Sequence, residues 1–266
     1  MDKALQKKEL PKEYLDLVEI WKTQVYEPLE TDATHYIISN PGVQLIFKNA
    51  PVVSFVFDLR TQQFTFISSN TKEIFGYDAA LFTDHGQHFL NQIRHPADLA
   101  STWKLLKKIW SFIIAVPPTS RAQFKFNLDY RVVKPTGEEV RILEQIAVLQ
   151  QDSKGNITHI LGICNEITSW KKSCQQIASV ISSLDHTVVF FTSDEHEHHP
   201  ALTVLSKREL EIVRLLAQGY SSKCIADKLF ISFHTVNTHR QHMIEKTKTR
   251  NTGELIQFAS SRGLTL

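Results

Sequence analysis

A stretch near the C-terminus, residues 231–246, is rich in side chains that form hydrogen bonds and has few of the usual Glu and Lys residues of a helix surface. Within it, Asn237, Thr238 and Gln241 follow a spacing of i, i+1 and i+4, which places them on one stripe of a helix. Asn and Gln can each form paired hydrogen bonds with an adenine edge, and the methyl group of Thr can contact thymine. The stripe therefore has the chemistry of a hydrogen-bonding recognition surface.

Four short helices are predicted to position this stripe. Ser206 and Glu209 form the Ser-x-x-Glu pattern of a capping box at the start of the first helix, and Gly219 provides its stop. Ser232 is in position to cap the helix that carries the polar stripe. A tight turn before that helix predicts a helix-turn-helix arrangement. The predicted helices follow Ser206, span 222–229 and 233–247, and begin again at Asn251.

The segment 205–251 resembles the LuxR-type (FixJ/NarL-like) DNA-binding domain, through the elements "RELEIVRLLAQG", "TVNTHR" and "RN". The resemblance departs at 247–249, where "TKT" stands in place of part of the family's Lys-Leu-Gly-Val-type run. It implies that double-stranded DNA is a partner and that the recognition stripe reads bases. The residues implied to read bases are Asn237, Thr238 and Gln241.

The same resemblance implies two further sets of contacts. Side chains that flank the stripe are expected to meet DNA phosphates, and the fourth helix is expected to join two copies of the chain in a homodimer. For His239, a half-buried structural role is an equally good interpretation. The implied phosphate contacts are Lys223, Thr235, His239, Arg240 and Lys246, and the implied dimer contacts are Leu255, Ile256 and Phe258.

Residues 52–168 carry a different pattern, in which strands dominate. Residues 124–132 alternate between apolar even positions and polar odd positions, which predicts a half-buried antiparallel strand. Two short strands precede it, and two strands follow it after turns at "KPTGEE" and "DSKGN". Five antiparallel strands with short helices between them define an α+β domain.

This second segment resembles a PAS sensor domain, through "NTKEIFGYDAALF", "IRHPAD", "YRVVKPTGEEVRILE" and "GICNEIT". The resemblance implies a pocket between the sheet and the short helices that can host a small-molecule ligand; a simple packed core is the alternative. The cofactor is unknown, because the sequence has neither a flavin-attachment motif around a cysteine nor a haem motif. The residues expected at the pocket are Phe55, Phe57, Phe66, Phe124, Phe126 and Leu128.

Between the two segments, residues 170–184 place apolar side chains at helical spacing, which predicts an amphipathic connector helix. A His-rich run follows, in which His196, His198 and His199 are weak candidates for a metal site. The predicted division is an N-terminal helical segment (1–49), a PAS-like domain (50–168), a connector helix and linker (169–204) and a LuxR-type helix-turn-helix domain (205–266).

Charge and composition agree with this division. Residues 206–266 hold 10 Lys/Arg against 5 Asp/Glu, whereas residues 1–205 hold 20 against 23, so the basic excess lies in the C-terminal segment. A small basic segment attached to a mildly acidic one indicates a polyanionic partner. The chain has no apolar run long enough for a membrane span, no signal-peptide pattern and only three scattered cysteines, which predicts a cytoplasmic protein.

The predicted function is that of a one-component transcriptional regulator, with a sensing or dimerising domain before a DNA-reading domain. Two alternatives remain: a regulator whose PAS domain only mediates protein interaction, and an unrecognised signalling enzyme. We expect no enzymatic activity, because the sequence has neither an evident nucleophile–base set nor a Gly-rich nucleotide site.

Overall fold

The computed structural model describes residues 10–29, 31–171, 175–184, 188–192, 205–260 and 264. In chain order, the first part contains α1 (Lys12–Lys22), α2 (Ala33–Ser39), α3 (Pro41–Asn49), β1 (Val53–Asp58), β2 (Gln63–Ile67), α4 (Thr71–Ile74), α5 (Ala79–Ile93), α6 (Pro96–Ala115), β3 (Phe124–Val133), β4 (Glu139–Gln151) and β5 (Ile157–Glu166). The second part contains β6 (Ile177–Ser182), β7 (Val188–Thr192), α7 (Lys207–Ala217), α8 (Ser222–Leu229), α9 (Phe233–Thr247) and α10 (Thr252–Ser260). No helix of the described residues is both long and apolar enough to cross a lipid bilayer.

The strands form one antiparallel sheet in the order β2-β1-β5-β4-β3-β6-β7. Its first five strands are the predicted ones, so the α+β class is confirmed. We call the segment from α1 to β5 the sheet unit and the segment from α7 to α10 the helical unit.

Aromatic side chains build the core of the sheet unit, where α1 and α6 pack beside each other over one face of the sheet. The ring of Trp21 on α1 lies 5.6 Å from that of Trp110 on α6 and 5.9 Å from that of Phe57 on β1. Tyr14 stacks on Trp103 at 4.7 Å. The N-terminal helix is therefore part of this core, because its apolar stripe packs into the same cluster as α6 and the sheet.

The predicted connector helix is wrong. Residues 177–182 form β6, which pairs with β3 along Phe124–Leu128, and β7 pairs with β6. The apolar spacing of "IASVIS" fits either structure, but its β-branched residues favour a strand. β3 pairs with β4 along one edge, and its other edge would leave backbone groups unpaired. β6 pairs with that second edge and satisfies them.

We call β6 and β7 the adaptor strands, because their two faces belong to different cores. Val189 and Ala178 pack into the core of the sheet unit, while Val188, Phe190 and Ile177 pack into the core of the helical unit. The ring of Phe190 lies 5.0 Å from that of Phe258 on α10. The alternation of side chains along a strand thus joins the two units.

The caps predicted for the helical unit are present. Ser206 and Glu209 form the reciprocal capping box of α7, and the Ser232 hydroxyl accepts the Thr235 N–H at 3.0 Å at the start of α9. Phe230 and Lys248 take left-handed backbone angles and end α8 and α9. Lys248 thereby supplies the turn before α10 at the point where the sequence departs from the family run.

Replacing Phe190 with Ala is expected to loosen the helical unit. Truncating a buried Phe removes about 3 kcal/mol of packing. We expect the amides of α10 to exchange with deuterium up to about a hundredfold faster, while those of β4 stay protected. Hydrogen exchange followed by mass spectrometry checks this. The control is Leu184→Ala, because Leu184 follows β6 with its side chain 76% exposed. Equal exchange of α10 in both variants would contradict the adaptor role of β7.

Candidate nucleic-acid interface

The exposed surface of α9 carries the predicted base-reading residues. Thr238 and Gln241 are exposed, and Asn237 is half-buried at the margin. Val236 and Met243, on the opposite side, are fully buried and fix the rotation of the helix. The structure therefore brings the three predicted residues together on one accessible face, as their spacing required.

Arg240 lies under this face and connects three helices. Its guanidinium donates to the Ser222 hydroxyl at 2.6 Å and to the Thr252 hydroxyl at 2.5 Å, so it links α9 to the starts of α8 and α10. It also donates to the Oδ1 atom of Asn237 at 3.4 Å. That contact orients the Asn237 amide. The sequence alone did not indicate this bracing role, and a phosphate contact by Arg240 stays a prediction.

Lys246 also has a protein partner. Its Nζ atom lies 2.8 Å from both carboxylate oxygens of Glu209, which is almost fully buried at the start of α7. Burial would raise the pKa of Glu209, but hydrogen bonds from Lys246 and Ser206 outweigh burial and hold the pKa below its ordinary value. This ion pair joins α7 to α9, and a phosphate contact by Lys246 stays a prediction.

The other predicted phosphate contacts lie around the same end of the unit. Lys223 is exposed in the first turn of α8. Thr235 is half-buried and shares a 2.8 Å hydroxyl contact with Ser232, and His239 is half-buried. The exposed His234, one turn before Thr238 on the same face, was not among the predicted site residues, although its i−4 spacing was visible.

Of the predicted dimer contacts on α10, only Ile256 and Phe258 keep some exposed surface, and a dimer contact there stays a prediction. Leu255 is fully buried inside the helical unit, where α10 packs on α7 and α9, so it has no surface to offer a second copy. Phe258 contacts Phe190 of β7, and Ile256 is half-buried. The apolar face of α10 is therefore largely used within the chain.

The sheet unit contains a small void of about 30 Å³ that is partly open to the surface. Of the predicted pocket residues, only Phe55 and Phe57 line it. Phe126 and Leu128 are fully buried and do not line this void, so their role at a pocket stays a prediction. Phe124 packs against Phe112, and Phe66 lines a surface groove beside α3. A void of this size holds about two water molecules.

The void also has a polar side that the sequence did not reveal. Arg94 and Glu144 both line it, and the Arg94 guanidinium lies 4.9 Å from the centre of the Trp103 ring and 4.4 Å from that of Tyr130. Burial raises the pKa of Glu144, an effect that Arg94 and a hydrogen bond from Tyr130 partly offset. Only the tertiary fold brings these residues together.

Three buried polar atoms at this void have no hydrogen-bond partner within the described part of the chain. They are the indole N–H of Trp21, the Nε–H of Arg94 and the Oε1 atom of Gln87. Two unpaired donors and one unpaired acceptor therefore belong to residues that line the same small space, and unpaired buried polar atoms are costly. The void has the chemistry of a site for a small polar molecule.

Among the described residues, no group of three or more His, Cys, Asp or Glu side chains is placed to hold a metal ion. The weak metal candidates His196, His198 and His199 lie outside the described residues.

The fold and the α9 surface define a helix-turn-helix DNA-binding domain attached to a PAS fold. Residues 203–259 match the family described as bacterial regulatory proteins, luxR family, and residues 64–164 match the PAS fold. The chain thus contains a PAS domain followed, toward the C-terminus, by a LuxR-type DNA-binding domain.

Similar proteins include the oxygen regulatory protein NreC of Staphylococcus haemolyticus, 42% identical over 72 residues, and that of Staphylococcus carnosus, 41% identical over 71 residues. Each alignment covers 27% of this chain and 33% of the relative, so the chain spans about a third of the length of these relatives. Among solved structures, the Vibrio cholerae VqmA dimer in the absence of target DNA is 19% identical, with a TM-score of 0.32 over 83% of this chain and 87% of that chain.

Replacing Glu209 with Gln is expected to destabilise the helical unit by about 2 kcal/mol, because a charged buried partner is lost. Because the folded-state pKa of Glu209 lies below the ordinary value of 4.5, the advantage of the wild type is full above that pH. It should shrink as the pH falls through the lower folded-state pKa. Urea unfolding at pH values from 7 to 3 measures this difference in the free energy of unfolding, and hydrogen exchange of α7 locates it in the helical unit.

The matched control is Glu211→Gln, because Glu211 forms a partly exposed pair with Arg208 at 2.8 Å on the same helix. Such a pair contributes less than about 1 kcal/mol to the free energy of unfolding. Equal losses in the two variants, or a loss in Glu209→Gln that does not depend on pH, would contradict the proposed role of the Glu209–Lys246 pair.

Proposed function

We propose that this protein is a one-component transcriptional regulator that binds specific DNA sequences in the cytoplasm as a homodimer. The observation that carries the proposal is the accessible stripe on the second helix of a helix-turn-helix, where Thr238 and Gln241 are exposed and Asn237 lies half-buried at the margin. Such a helix lies in the major groove, where amide side chains pair with adenine edges.

The electrostatics of the helical unit support DNA as the partner. Residues 206–266 carry 10 Lys/Arg and 5 Asp/Glu. The first twelve residues of α9, 233–244, contain no carboxylate, so nothing on its leading turns repels a phosphate backbone. Phosphate contacts provide affinity that falls with salt, while the stripe provides the sequence preference.

The double variant Asn237→Ala/Gln241→Ala tests this function. We expect each lost base contact to cost about 1–3 kcal/mol of discrimination, because the amide hydrogen bonds to base edges disappear. Weak, salt-sensitive binding to any duplex should remain. The measurement is the affinity of the full chain for duplexes selected from genomic fragments, compared with scrambled duplexes.

The matched control is Gln257→Ala, because Gln257 is exposed on α10, away from the α9 stripe. It should leave both affinity and preference unchanged. Full sequence preference in the double variant would refute the assignment of the stripe to base reading.

We further propose that the PAS domain senses a small neutral polar molecule at its small void. The proposal is supported by the two unpaired donors of Trp21 and Arg94, which would meet an acceptor on such a molecule, and by the unpaired acceptor of Gln87, which would meet a donor. The described conformation has room for about two waters, so a larger ligand requires the surrounding side chains to move apart. That movement would be the signal.

The adaptor strands offer a path for this signal. The buried Asp129 carboxylate accepts from the Ile177 N–H at 3.0 Å, and Gln176 donates to the Thr102 hydroxyl at 2.7 Å on α6. A shift of α6 or β3 would therefore reach β6 directly. The adaptor strands would pass it to α10 through Phe190 and Phe258. In this hypothesis the adaptor strands have two positions, one for the ligand-free and one for the ligand-bound PAS domain, because allostery requires an element with two states.

Replacing Gln87 with Leu separates sensing from simple packing. Removing an unpaired acceptor should raise the free energy of unfolding of the ligand-free protein by about 1 kcal/mol, because the desolvation cost disappears. The same change should abolish retention of a bound molecule. Thermal unfolding and native mass spectrometry of the full chain measure the two effects.

Gln63→Leu serves as the control, because Gln63 is exposed on β2 and does not line the void. It should change neither quantity. A lower melting temperature in Gln87→Leu, with the same bound mass as the wild type, would identify Gln87 as a structural residue and favour a PAS domain that only mediates interaction.

A further inference from the structure

Phe233 is an exposed aromatic residue at the leading end of the recognition helix. It is the first residue of α9, directly after the Ser232 cap, and its side chain is 55% exposed. Its spacing to Asn237 and Gln241 is i, i+4 and i+8, so the three residues share one stripe. The base-reading stripe thus continues one turn further toward the N-terminus of α9.

The helical unit itself makes little use of this ring. Among the described residues, the apolar side chains packed against its core include Ile231 and Ile244 but not Phe233. An aromatic ring left in solvent forgoes the burial that usually stabilises a fold. A role outside the unit accounts for its presence.

The surroundings of Phe233 favour DNA over an apolar groove on another protein. The exposed neighbours on the leading turns are His234, Thr238 and Gln241, which are hydrogen-bonding side chains without negative charge. The N-terminal residues of a recognition helix are those that reach base edges in the major groove. The only apolar group that a base presents there is the C5-methyl of thymine, and Phe is a side chain that contacts it.

We propose that Phe233 is a specificity-determining residue that contacts a thymine methyl group next to the bases read by Asn237 and Gln241. The proposal rests on the DNA-binding function proposed above. It adds an apolar position to a stripe that otherwise reads by hydrogen bonds. It also predicts a thymine at one fixed position in each half of the DNA site.

The test uses a duplex that the full-length wild-type protein selects from random DNA. Each thymine in turn is replaced with deoxyuridine, which removes only the methyl group. At one position in each half-site, wild-type affinity should fall about fourfold, the factor expected for burying one methyl group. Phe233→Ala should bind the thymine and deoxyuridine duplexes equally well.

Two variants sharpen the result. Phe233→Leu keeps an apolar side chain and should keep part of the discrimination. Phe230→Ala is the matched control, because Phe230 is a nearby Phe with a 95% exposed side chain that lies in the turn before α9, off the stripe. It should leave the thymine-to-deoxyuridine ratio at the wild-type value. Circular dichroism confirms that each variant is folded.

Several results would overturn the proposal. Wild-type affinity that no deoxyuridine substitution changes excludes methyl reading. A loss in Phe233→Ala that is the same for both duplexes assigns the ring to backbone packing. Unchanged DNA binding in Phe233→Ala assigns it to a surface for another protein. If the wild type selects no duplex sequence, the proposed DNA-binding function fails first, and this proposal fails with it.

Discussion

The buried carboxylate of Asp129 is the interaction on which the arrangement of the chain depends. It lies on β3, 2.5 Å from the Arg141 guanidinium on β4 and 2.7 Å from the Lys171 ammonium that follows β5. The same carboxylate accepts the N–H of Ile177, the first residue of β6. A buried anion of this kind must be paired and hydrogen-bonded to be tolerated. Its partners therefore fix the point where the chain leaves the sheet unit and returns to the edge of β3.

That return decides how the two units are joined. Because β6 and β7 extend the sheet, their side chains alternate between the two cores, with Val189 on one side and Phe190 on the other. A flexible tether would let the helical unit move independently of the PAS domain. Strands shared between two cores instead attach the helical unit to the sheet unit, which is the connection that the proposed coupling needs.

The recognition helix shows a similar division between support and contact. Arg240 and Lys246 are cations beside the stripe that is proposed to read DNA, yet the structure engages them in holding α7, α8, α9 and α10 together. The Arg240 guanidinium also orients the amide of Asn237, and such a fixed support is what the proposed hydrogen-bond readout of base edges requires. At the PAS void, Arg94 is likewise held by its neighbours, since its guanidinium packs over the rings of Trp103 and Tyr130, yet its Nε–H and the Oε1 atom of Gln87 have no hydrogen-bond partner among the described residues.

The sequence by itself determined the features that depend on neighbours along the chain. The capping box at Ser206, the cap at Ser232 and the stripe of Asn237, Thr238 and Gln241 follow from local hydrogen bonds and the helical repeat, and alternation identified β3. Only the tertiary structure decided whether residues 177–182 form a helix or a strand, because their apolar spacing fits both and the open edge of β3 selects the strand. The tertiary structure also decided that Arg240 and Lys246 have partners within the protein, and that Arg94 and Glu144 line the same void. Such contacts join residues far apart in sequence.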